Sequence, residues 1–221
     1  MTTPTISGAP QPGHPHAGSD QWAATWERAL PALAVAGPGI WFVAALVRAA
    51  GIGTLDGDLD WISRPEGFLM VLGVPFFVAT FILLGRVIAQ EAPRAGVAVT
   101  ALGLLGIAPA GMLSGIRLFM GQFTDAGLDP KALNDAFETT SAWDLGFFLY
   151  NVSWFVAWII AGTIILKSGI APRWAGACCI AGVAGIVAAQ ALYLALPVSW
   201  PLGTGLLTLA VVTLARRSTA T

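Results

Sequence analysis

The chain has little of what water-soluble enzymes draw on. Charged residues fill 10% of its 221 positions, and histidine occurs only at His14 and His16. Both imidazoles stand in an N-terminal stretch rich in Gly, Pro, Ser and Thr. No apolar segment therefore offers one to a haem iron, an intramembrane zinc protease or a Ser–His pair. Lysine is as scarce: Lys131 and Lys167 fall between hydrophobic segments, which excludes a retinal Schiff base within a helix. Cys178 and Cys179 are neighbours in one apolar run. Adjacent residues do not meet ordinary disulfide geometry, and two sulfurs without histidine partners make a poor metal site. The chain has no Cys-x-x-Cys and no Walker A loop. A net charge of −1 and a pI near 6.0 leave no basic excess for nucleic acid. No cofactor and no metal is implied.

What is abundant is apolar surface. Hydrophobic residues make up 56% of the chain and the mean hydropathy is +0.75. A soluble domain of this length cannot bury that much, so a lipid bilayer is the expected solvent and partner. Residues 1–19 hold no lysine or arginine and read as a disordered cytoplasmic tail ahead of a transmembrane domain over 20–217. A secretory signal needs a basic stretch before its apolar core. Here the first basic residue, Arg28, follows Asp20 and Glu27, so the first hydrophobic segment is expected to be retained.

A hydrocarbon core of about 30 Å needs about 20 helical residues. Six runs meet that length: 30–50, 68–89, 95–120, 145–166, 174–196 and 198–215. They are continuous in Gly, Ala, Leu, Val and Ile without strict alternation, which predicts an all-α, polytopic helix bundle and not a barrel. With the N-terminus inside, the inner loops hold Arg28, Arg86, Arg94, Lys167, Arg173, Arg216 and Arg217. The outer side takes nine of the twelve acids, from Asp56 to Asp144. That asymmetry predicts six spans with both termini in the cytoplasm.

Two inner loops, Ala92-Pro93-Arg94 and Ala171-Pro172-Arg173, each place a proline to open the next helix. They read equally as a repeated hairpin or as a common helix start. The third run carries Gly103, Gly106, Gly111 and Gly115, and the fifth carries Gly176, Gly182 and Gly185. Small faces allow close backbone approach, so these two helices are expected at the centre of the bundle.

Several polar residues fall in the outer half: Arg48, Glu66, Arg117, Asp144, Asn151, Gln190 and Tyr193. Charges near a span are costly unless paired, and an Arg117–Asp144 ion pair is the first expectation; snorkelling to the interface is the alternative. Asp144, Phe148, Asn151, Phe155 and Trp158 recur at three- and four-residue steps along the fourth run. That face fits a pocket lining with Trp158 at its apolar end, or plain packing. The Asp56-Gly57-Asp58-Leu59-Asp60 run begins like a calcium loop. It has Trp61 where an EF-hand needs glycine and Gly67 where it needs glutamate, so the match fails and an ordinary acidic surface loop remains, with a weak surface cation site as the lesser alternative.

The overall plan, with the turn Lys167-Ser168-Gly169-Ile170-Ala171-Pro172-Arg173-Trp174 before a Gly/Ala-rich helix, resembles an uncharacterised family of bacterial six-helix integral membrane proteins. The resemblance covers the chain from about residue 28 to its end. It implies the fold and a bacterial cytoplasmic membrane, and it implies no activity.

Three functional readings follow. The first is a protein that binds a small lipophilic or amphipathic molecule in an outer-half pocket. Its contacts would be Arg117, Asp144, Asn151, Trp158, Gln190 and Tyr193. The second is an enzyme on an isoprenoid-like substrate, with Asp144 or Glu66 as general acid. The third is a subunit that packs Gly111, Gly115, Gly182 and Gly185 against a membrane-protein partner.

Overall fold

The structure, a computed structural model, describes residues 17–55, 63–129, 131–132, 135–136, 141–191 and 198–219. Its named elements are all helical: α1 (Ala17–Ala49), α2 (Arg64–Gly73), α3 (Phe76–Ala89), α4 (Pro93–Asp125), α5 (Ser141–Leu149), a π turn (Tyr150–Trp154), α6 (Phe155–Ser168), α7 (Arg173–Ala191) and α8 (Ser199–Ser218). Helix α1 starts at Ala17, inside the stretch expected as a tail; residues 1–16 lie outside the described residues.

By length and composition, Gln21–Ala49 and Pro93–Asp125 can each cross a membrane, and α2 with α3, bent by 48°, makes a third crossing if the pair is one span. The later runs depart from simple spans for local reasons. The fourth is interrupted by the π turn, and α6 beyond it has 14 residues. The last opens with Ser199-Trp200-Pro201 and carries Thr204, Thr208 and Thr213. Each of those threonine hydroxyls donates to a carbonyl four residues back, so the helix satisfies them itself.

The helices close into a ring. α1 packs on α2, α3 and α8; α4 packs on α2, α3, α5, the π turn and α6; α7 packs between α6 and α8. α3 touches α1, α4, α6 and α8, and so takes the central place expected for the third and fifth runs. Those two helices, α4 and α7, lie on either side of α6. The reason is visible in what their small residues meet. Gly103 and Gly106 of α4 accommodate the Phe81 ring and Trp154, whereas a side chain at Gly182 of α7 would come within 2.9 Å of the Gly203 carbonyl on α8. The glycines therefore serve different neighbours and do not bring α4 onto α7.

Prolines make their own partners. Pro38 has no N–H for the Ala34 carbonyl, and Thr80 of α3 fills the gap, its hydroxyl donating to that oxygen at 2.7 Å. A Cβ at Gly37 would sit 3.0 Å from the Phe77 nitrogen, so glycine is what lets α1 and α3 come this close. Pro75 breaks the second run between α2 and α3. Beside the break the Trp41 indole donates to the Met70 carbonyl at 3.0 Å.

Trp41 also begins the core. Its ring lies 5.0 Å from Phe77, 5.8 Å from Trp154 and 6.4 Å from Trp200, and Trp158 follows 5.6 Å from Phe81. These side chains, from α1, α3, the π turn, α6 and α8, are all buried. Edge-on aromatic pairs at such separations add about 0.5–1.5 kcal/mol each beyond their area, so this cluster is a principal fastening of the ring.

Candidate functional site

The chain between α1 and α2 turns back on itself through Gly51 and Gly53, both at positive φ, and the Arg64 N–H donates to the Gly53 carbonyl at 3.0 Å. Ser63 then caps α2. Its hydroxyl donates to the Ile52 carbonyl at 2.7 Å and accepts from the Glu66 N–H at 3.4 Å. Ser63-Arg64-Pro65-Glu66 has the spacing of a capping box, in which the glutamate would reach back to the cap. Here the carboxylate turns into the bundle.

Glu66 is fully buried, and Arg117 Nη1 of α4 lies 2.5 Å from its Oε1. Arg48, in the last turn of α1, places Nη1 4.0 Å from the same oxygen. The other oxygen, Oε2, is buried and has no hydrogen-bond partner among the described residues. Next along α2, a Cβ at Gly67 would come within 2.8 Å of the Leu118 nitrogen. The α2 and α4 backbones thus touch beside the pair, which fixes the reach of both side chains. Arg64 Nη2 and Asp125 Oδ1, 2.9 Å apart and largely exposed, tie the same two helices further out.

Arg117 is 17% exposed and Arg48 23%. Two partly exposed guanidiniums thus stand over one enclosed carboxylate. Removing charges from water costs several kcal/mol per ion unless they are paired and their remaining atoms hydrogen-bonded. Here one carboxylate oxygen meets that condition and the other does not. Such an arrangement leaves a buried acceptor, Oε2, to which a hydrogen-bond donor can be supplied.

The expected Arg117–Asp144 pair is not the one formed. Asp144 is exposed at the start of α5 and makes no ion pair among the described residues, while Arg117 is held by Glu66. The two candidate acids, Asp144 and Glu66, are thus not brought together. The expected stripe along the fourth run also divides. Asp144 and Phe148 are exposed, Phe148 by 58%, whereas Phe155 and Trp158 are buried. A π turn carries an extra residue relative to α-helical winding, so the face presented by α5 is not the face presented by α6. Trp158 packs on Phe81 and Trp154 inside the core. Asn151 lies in the π turn and Gln190 in α7, with side chains outside the described set; Tyr193 and the aspartates at 56, 58 and 60 lie outside it altogether.

The small residues proposed for a partner interface are partly used within the chain. Gly182 and Gly185 face Gly203, while Gly115 meets nothing within 4 Å. At the opposite end of the bundle Val87, Gln90, Ile170, Leu214, Arg217 and Ser218 line a cavity of 260 Å³, and Arg217 donates to the Ile170 carbonyl. Arg86 pairs there with Glu27 of α1 at 2.6 Å.

Sequence reasoning placed Arg48, Glu66 and Arg117 at one depth without joining them. The signal that could have joined them is the Ser63 cap, which puts Glu66 in the first turn of a helix that must run beside α4. Comparison of the chain with protein-family models, curated proteins and solved structures yields no match.

Proposed function

We propose that this chain is a six-span protein of a bacterial cytoplasmic membrane, with both termini inside, that binds the polar head of an amphipathic molecule at Arg48, Glu66 and Arg117. The helix ends support the orientation. Arg86, Arg217 and the turn between α6 and α7, with Lys167 and Arg173 beside it, gather at one end of the bundle, and the Glu66 cluster stands at the other. Basic residues collect on the cytoplasmic side, which favours the outer half for the cluster. The six-span count takes α2 with α3 as one crossing, α5 with the π turn and α6 as another, and α7 and α8 as single crossings. Their mutual packing in a closed ring supports that division.

The observation that carries the binding reading is the half-satisfied Glu66 carboxylate, enclosed by the bundle yet flanked by two guanidiniums that reach its surface. A buried acceptor without a donor costs about 1–3 kcal/mol, more when charged, and a bound polar head removes that cost. An acid-initiated enzyme has less support, because Asp144 is exposed and Glu66 is held in an ion pair by Arg117.

Native mass spectrometry of the gently extracted protein tests the reading. A stoichiometric amphipathic molecule retained by the wild type and lost from Arg117→Ala is the expected result. A bare wild-type chain, or a ligand held equally well by the variant, overturns it.

A further inference from the structure

We infer that the cavity at the end of the bundle opposite Glu66 is a second binding site, for a small soluble phosphate ester. It shares no residue with the Glu66 cluster, so the inference does not rest on the binding reading above.

The cavity has a buried floor and a polar rim. Val87 of α3 and Leu214 of α8 are buried and close it below. Ile170, in the turn between α6 and α7, adds a third wall. On the rim, Gln90 just past the end of α3 is half-buried, while Arg217 and Ser218 at the end of α8 are exposed. A volume of 260 Å³ falls just below the range of about 300–1,000 Å³ usual for small-molecule pockets, so the occupant is small.

Arg217 sets the sign of the ligand. Among the described residues it is the one charged side chain lining the cavity, and it makes no ion pair. Its guanidinium donates to the Ile170 carbonyl. A guanidinium has five N–H donors, so this bond holds the group at the cavity and leaves donors over for a ligand. Its planar fork matches the oxygens of a phosphate.

The C-termini of α3 and α8 also lie at this end, and bare carbonyls there would oppose an anion. Local donors have taken them. The carbonyls of Val87 and Ile88 accept from the N–H groups of Gln90, Glu91 and Ala92. Those of Ala215 and Arg216 accept from the Ser218 and Thr219 hydroxyls, and that of Arg217 from the Thr219 N–H. The guanidinium is left as the strongest polar group lining the space.

The rest of the ligand follows from the other walls. Gln90 offers an amide donor to a second phosphate oxygen. A bare phosphate leaves Val87, Ile170 and Leu214 facing water, whereas a short carbon body covers them. Because the rim is made of helix ends and one turn, the ligand enters from the water layer.

The test is calorimetric titration of the wild-type chain in phosphatidylcholine nanodiscs, with empty nanodiscs as the blank. The probes are butyl phosphate, inorganic phosphate and butanol. Butyl phosphate is expected to bind about tenfold or more tightly than either of the others, as a few buried methylenes and one charge-assisted contact support. Arg217→Ala should weaken it about tenfold or more. Arg216→Ala, next in the chain but outside the cavity lining, should change it by less than about twofold. Absence of butyl phosphate binding to the wild type overturns the inference, as does butanol binding equally well. Equal losses in the two arginine variants overturn it too, because the response would then belong to the basic surface as a whole. Inorganic phosphate binding as tightly as butyl phosphate overturns the ester. Displacement of butyl phosphate by phosphatidic acid placed in the nanodisc supports the phosphate chemistry and overturns its assignment to a soluble molecule. The comparison of probes uses the wild type alone, so it stands even where a variant does not fold.

Discussion

Two ion pairs of nearly the same length sit at opposite ends of this bundle. Arg117 and Glu66 are 2.5 Å apart with Glu66 fully buried, while Arg86 and Glu27 are 2.6 Å apart with both side chains about half exposed. Their geometry is alike and their surroundings are not. Water around Glu27 and Arg86 screens the attraction and solvates either partner when the other is removed, so such a pair contributes about 0–1 kcal/mol. Glu66 has no such recourse. Its charge depends on the guanidiniums beside it, and removing one of those exposes the full cost of an enclosed carboxylate. Distance alone does not rank ion pairs; the solvent available to each partner after separation does.

The largest effect is therefore expected from Arg117→Ala, at about 3 kcal/mol of lost stability. It should appear as a large drop in the midpoint of unfolding in detergent. The double variant Glu66→Leu with Arg117→Met, which removes both charges, should recover much of that loss; a single variant within about 1 kcal/mol of wild type would remove the contrast between the two ends. Next comes Gly182→Val, which forces a side chain toward the Gly203 carbonyl and should cost about 2 kcal/mol through overpacking. Protease susceptibility of α7 and α8 should rise with it, and an unchanged digestion pattern would show that the two helices absorb the added side chain without loosening. A smaller loss, about 1 kcal/mol, is expected for Trp41→Phe, which keeps an aromatic ring near Phe77 and Trp154 but removes the donor to the Met70 carbonyl. The smallest is Glu27→Gln, below about 0.5 kcal/mol and diminishing further in high salt. A loss there as large as that of Arg117→Ala would mean that burial is not what separates the two pairs.

Much of the helical layout was legible because apolar run length is a local property. The run over 95–120 lies within α4, and the two prolines stand where the sequence placed them, Pro93 as the first residue of α4 and Pro172 immediately before α7. Gly169, at positive φ, ends α6 as a glycine past a helix end should. What was not legible depended on contacts between distant segments. Arg117 had several carboxylates at its depth, and spacing along the chain favours Asp144 over Glu66. The choice is made by Gly67, which admits the α4 backbone and sets Glu66 beside it. The π turn was invisible for a related reason. Its five residues, Tyr150-Asn151-Val152-Ser153-Trp154, show no breaker, and the distortion accompanies packing of Ser153 and Trp154 against Gly106 of α4. The face read as a single stripe assumed uniform winding through that point.

Helix α8 bears on how the chain enters a bilayer. By composition it is not among the helices apolar enough to cross a membrane unaided, yet α1 flanks it on one side and α7 on the other. Its glycine at 203 meets Gly182 backbone to backbone, so the two helices can associate before the ring is closed. On the six-span reading proposed above, the translocation machinery would then receive a hairpin whose less greasy arm is already covered, and the decision to release it sideways into lipid would belong to the pair rather than to α8 alone.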